Sequence, residues 1–145
     1  NHLALDENVV YLAQILGVEI GVFPNAVGMG KSDEIHGIVH RLNAYSQVRD
    51  SPLRIRLPYI EFEDTPAAIS YEFIQQKSVE LDYNEIRVEY KGFELELDSL
   101  VRESRAMISL SMKYIPILEL LVYVTQMTGH EMEVELFKVS IKDLY

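Results

Sequence analysis

The sequence has no cysteine. That removes disulfide frameworks, thiolate nucleophiles and cysteine-type zinc sites. Positive charge is scarce: 13 Lys and Arg stand against 23 Asp and Glu, for a formal net charge of -10 and a pI near 4.8. Affinity for duplex nucleic acid and for anionic membranes rests on Lys and Arg neutralising phosphate, so neither is an expected partner. No apolar run approaches the ~18 residues that mark a membrane span. The first residues, from Asn1, carry no basic segment followed by an apolar stretch, so no signal peptide is expected and the expected compartment is cytoplasmic. Repeats, low-complexity tracts and linker-like stretches are also missing. At ~150 residues per domain, 145 residues predict a single globular domain over 1–145.

What is present is an ordinary folded composition, 48% apolar and 25% charged. Asp6 is a good N-cap for a helix over Glu7 to Leu16, and Gly17 is a stop signal. Val18 to Phe23 reads as a short strand. Pro24, Asn25, Gly28 and Gly30 make the stretch to Lys31 a loop. Ser32 can cap a second helix that reaches about Ser46, with Ile35, Ile38, Val39 and Leu42 as its apolar stripe. From Leu53 the period changes to two: Leu53, Ile55 and Leu57 alternate with Arg54 and Arg56, then Ile60 and Phe62 with Glu61 and Glu63. Pro58 makes this an edge strand or bends it. Thr65-Pro66 starts a helix to about Gln76.

Residues 78 to 98 carry the most regular alternation. A strand over Ser78 to Leu81 is followed by Ile86, Val88 and Tyr90, then by Phe93, Leu95 and Leu97. Lys91-Gly92 suits a two-residue turn that pairs Val88 with Leu95 and sets every apolar side chain on one face. Arg87 then falls between Glu80 and Glu96 on the polar face, and Glu89 opposes Glu94. Ser99 caps a helix through Met107, Ile108 and Ile115, which Pro116 kinks or ends. Ile117 to Gln126 reads as a helix closed by Gly129. Met132, Val134 and Leu136 alternate with glutamates in a last strand, and the slip to Phe137, Val139 and Ile141 suggests a bulge. The sum is an α+β domain: an antiparallel meander sheet, with strands near 53–63, 78–82, 85–90, 93–98 and 131–141, and helices packed on one face.

Three short patterns carry possible chemistry. Asn25 to Ser32 approximates the phosphate-cradling G-x-x-x-x-G-K-[ST] loop, with Asn25 in place of the first glycine and Gly30, Lys31 and Ser32 intact. Its rival is a glycine-rich turn capped by Ser32. Asp33, His36 and His40 share a helix flank at metal-chelating spacing, although Gly37 stands where a metalloprotease helix needs Glu. Asp82 followed by Glu89-Tyr90-Lys91 echoes a nuclease metal site, but the acidic chain lacks the basic groove such an enzyme needs. No serine-hydrolase signature is present.

The charge has a location. Residues 61 to 98 hold 3 bases and 11 acids. Glu80, Glu89, Glu94 and Glu96 are expected to line one sheet face, suited to steering a basic protein surface. The leading expectation is a small acidic non-enzymatic interaction or accessory module without a cofactor. The alternative is a phosphate-, nucleotide- or divalent-metal-binding module centred on residues 25–40. A homodimer through the edge strand before Pro58 is a further expectation.

Overall fold

A computed structural model describes residues 7–45, 52–81, 92–135 and 137–143. The chain divides into two units, Asn1–Ala44 and Tyr45–Tyr145. The architecture is α+β, as the periodicities predict, but among the described residues the strands form three small sheets rather than one meander.

In the first unit, α1 (Glu7–Leu16) ends where Gly17 takes the left-handed conformation, φ 68°. The Gly17 N–H donates to the Gln14 carbonyl and the Val18 N–H to that of Ala13, which satisfies carbonyls the helix leaves open. β1 (Glu19–Phe23) and β2 (Ala26–Gly30) then form an antiparallel hairpin closed by Pro24-Asn25. The stretch 26–30, expected as loop, is a strand because Val27 and Met29 alternate with Gly28 and Gly30. Gly21 and Gly28 make room for the Phe23 ring, and Ile35 of α2 (Ser32–Ala44) closes over Gly21. A Cβ at Gly21 would lie 2.5 Å from the Phe23 ring and 2.9 Å from Ile35.

The second unit opens with a 3₁₀ turn, Pro52–Arg54, where a strand was expected. Pro52 fixes the backbone for it, and the Ile55 N–H closes it onto the Pro52 carbonyl. β3 (Arg56–Pro66) pairs antiparallel with β5 (Met107–Pro116). Only Arg56 and Leu57 of the strand precede Pro58, and Leu57 is buried opposite Ile115. β5 replaces the long helix expected after Ser99. Ile108, Leu110 and Met112 also fit period two, and pairing with β3 decides between the readings. The helix α4 is short, Ser99–Glu103, and its N-cap is Asp98 rather than Ser99. The Asp98 carboxylate accepts from the Val101 N–H at 2.8 Å.

Helix α3 (Ala67–Leu81) runs through the residues expected to form a strand at 78–82. Neither Gly nor Pro lies between Pro66 and Gly92 to stop it, and Ser78 donates to the Gln75 carbonyl within the helix. The predicted strand 85–90, Arg87, and Lys91 of the turn lie outside the described residues. β4 (Glu94–Leu97) matches the strand expected at 93–98. The last strand expected at 131–141 is two: β6 (His130–Val134) and β7 (Lys138–Asp143). The phase slip marks a hairpin turn, with Val134 paired to Val139, rather than a bulge. α5 (Ile117–Thr128) starts after Pro116 and ends at Gly129, φ 72°. Nine consecutive residues, Ile117 to Thr125, are buried, as befits a helix packed on all sides against β5, β6, α3 and the 3₁₀ turn. No helix among the described residues is long and apolar enough to cross a membrane.

Candidate partner-binding face of the mixed sheet

Among the described residues, β7 is the middle strand of a three-stranded sheet, parallel to β4 and antiparallel to β6. Period-two alternation splits its side chains cleanly. Leu97, Ile141 and Met132 form one cross-strand row, all buried. The next row, Glu96, Ser140 and Glu133, points the other way, towards solvent. Glu94 beside Lys138 and Glu131 beside Lys142 extend that outer face in both directions. The acids therefore sit on the two flanking strands and the lysines on the central one.

The ion pairs follow from this arrangement. Lys138 Nζ lies 2.8 Å from Glu96 Oε2, while Lys142 Nζ lies 3.7 Å from Glu131 and 3.8 Å from Glu133. The hydrogen bond and charge of Lys138 hold the Glu96 carboxyl below its ordinary pKa. Lys138 is raised in turn, by the hydrogen bond and charge of Glu96 first, with Glu135 and Glu94 adding to it. A shallow pocket of about 230 Å³ opens here, lined by Glu96, Asp98, Glu133, Ser140, Ile141 and Lys142. Across the face, the five carboxylates Glu94, Glu96, Asp98, Glu131 and Glu133 stand against Lys138 and Lys142, a surplus of three negative charges. Such an arrangement can attract a cationic surface, and Lys138 and Lys142 moderate the repulsion between the acids.

Of the residues singled out from sequence, Glu94 and Glu96 lie on this face. Glu80 does not: it is on α3, exposed and 3.1 Å from Lys77, because its segment is helical. Glu89 lies outside the described residues. Glu131, Glu133, Lys138 and Lys142 were missed. Their signal was present, as acids at 131, 133 and 135 and lysines at 138 and 142, but the parallel pairing of β4 with β7 leaves no local trace.

The second candidate, residues 25–40, has a different geometry from the one expected. Gly28 and Gly30 are strand residues, and Lys31 alone separates β2 from α2, so no multi-residue loop surrounds a phosphate position. Gly30 instead accommodates α2: a Cβ there would meet the Glu34 carboxylate at 3.0 Å. Lys31 rather than Ser32 precedes the helix, and its carbonyl accepts from the Ile35 N–H. Asp33, His36 and His40 are exposed on α2, with His36 Nε2 3.7 Å from Glu19. Among the described residues no group of three or more His, Asp or Glu is placed to hold a metal ion.

One polar cluster lies inside the second unit. His130 Nδ1 is 2.7 Å from the Tyr71 hydroxyl and 2.9 Å from that of Thr128, and the imidazole is 1% exposed. Burial pushes its pKa below the ordinary histidine value, with Asp143 and Asp98 pulling weakly upward. The cluster joins α3, the end of α5 and the start of β6, and so braces the sheet from behind. No family model, curated protein or solved structure matches this chain.

Proposed function

We propose that this chain is a small non-enzymatic interaction module that takes up a basic protein surface on the outer face of its mixed sheet. The observation that carries the reading is the strand-wise sorting of charge: acids on β4 and β6, lysines on β7, and a surplus of three carboxylates around a shallow pocket. Charge of this kind accelerates encounter with an oppositely charged partner and selects against acidic ones. The buried row beneath and the His130 cluster hold the strands that carry it.

The test uses an oligo-arginine peptide as a cationic probe, titrated into isotope-labelled protein. Amide resonances of Glu94, Glu96, Glu131, Glu133 and Ser140 are expected to shift together, with an affinity that falls as salt rises. Reversing two charges, Glu94→Lys with Glu133→Lys, is expected to weaken binding by about tenfold or more. Shifts spread evenly over all acidic residues, or an affinity indifferent to the reversal, overturn the reading.

A further inference from the structure

β3 and β5 form a two-stranded ribbon, and among the described residues each has the other as its only strand neighbour. The two outer edges of the ribbon differ. The Ile117 N–H donates to the Ile55 carbonyl, and alternation from that bond turns the backbone groups of Ile115, Lys113 and Ser111 towards β3. Met112 and Leu110 therefore carry their N–H and C=O groups on the outer edge of β5. The same alternation puts Pro58, Ile60 and Phe62 on the outer edge of β3. Pro58 supplies no N–H there, and Asp64, at φ 44°, lies in the bulge where the register shifts, so that edge is poorly suited to pairing. Between Met107 and Met112, β5 holds neither proline nor a charged residue.

We infer that the outer edge of β5 pairs antiparallel with β5 of a second copy of this chain, about a twofold axis at Ser111. Two observations favour a copy over another strand. The first is register. The outward groups belong to Leu110 and Met112, one on each side of Ser111, so the axis sets Leu110 of each copy against Met112 of the other. All the outward backbone groups of these residues then find partners, apolar side chains oppose each other, and the Ser111 hydroxyls meet. The second is charge complementarity. The same register sets Lys113 against Ser109 of the copy. Within each chain Ser109 faces the bulge formed by Glu63 and Asp64, whose Asp64 N–H it accepts at 2.9 Å. Lys113 thus lies about 10 Å, two strand spacings, from the Glu63 position of the copy, on the same face and within the joint reach of the two side chains. Among the described residues Lys113 has no ion pair within its own chain, and the contact forms twice by symmetry. The result is a four-stranded sheet, β3–β5–β5–β3, whose outer edges carry Pro58, so assembly stops at two copies.

The experiment is sedimentation equilibrium of the full chain at tens of micromolar. The expected mass is twice the 16.7 kDa of one chain. Lys113→Glu is expected to raise the dimer dissociation constant by about fivefold or more, because it sets like charges near each other twice, with the far-ultraviolet circular dichroism unchanged. Adding Glu63→Lys to that variant restores opposite charges across the axis and is expected to recover most of the loss. A second measurement covers the case in which the variants lose their fold. In a sample mixed from labelled and unlabelled wild-type chains, an intermolecular nuclear Overhauser contact is expected between the Ser111 Hα and its own symmetry mate, since opposed residues of this kind approach most closely. A monomer at these concentrations, a dimer indifferent to Lys113→Glu in a folded variant, a loss that the charge swap leaves unrepaired, or intermolecular contacts confined to other surfaces overturns the inference.

Discussion

His130 shows what one buried titratable side chain does to a small domain. Its ring is enclosed, and burial holds it neutral at pH values where an unfolded chain has already bound a proton. The sign follows: stability is full above the unfolded pKa of about 6.5, declines as pH falls through it, and levels off below the folded value. Urea unfolding at steps between pH 7.5 and 5 is expected to show this decline, and His130→Gln is expected to flatten it. Tyr71→Phe removes a hydroxyl that this ring needs and is expected to lower stability by about 1–2 kcal/mol, read from the same urea curves. Lys138 acts at the same scale but on the surface. In Lys138→Ala the Glu96 carboxyl is expected to titrate at a higher pH than in the wild type, followed by nuclear magnetic resonance, because the hydrogen bond and charge that hold it down are gone.

At the scale of elements, glycine placement and turn chemistry decide most outcomes. Gly21→Ala puts a methyl group into the Phe23 ring and Ile35 and is expected to cost about 1–3 kcal/mol, measurable as a lower unfolding midpoint. Helix α1 and the Gly17 stop were legible because a capping acid and a stop glycine bracket ten residues. α5 was legible for a similar reason, with Pro116 before it and Gly129 after it. β5 was misread because Met107, Ile108, Ser111 and Ile115 satisfy a helical spacing as well as a strand, and only β3 across the ribbon resolves the tie. The 78–81 segment was misread in the opposite direction: Ser78 to Leu81 alternates, but an uninterrupted helix from Ala67 carries through it. Half of the acidic face was legible, since Glu94 and Glu96 alternate with Leu95 and Leu97. The other half depends on strands about forty residues away in sequence, and no local pattern encodes that.

At the scale of the molecule, net charge sets behaviour that no single contact explains. Lys138→Glu turns five carboxylates and two lysines on the proposed face into six and one. That variant is expected to bind an oligo-arginine peptide more tightly at low salt, with a steeper loss on adding salt, in a calorimetric titration. The parallel pairing of β4 with β7 has a consequence in time. β7 follows every other described strand in the chain, yet it is the strand that β4 and β6 share. During synthesis the two acidic strands emerge first and have no common neighbour. Only when Lys138 to Asp143 arrive can the sheet close, so a nascent chain acquires this surface after every other described strand, and all at once.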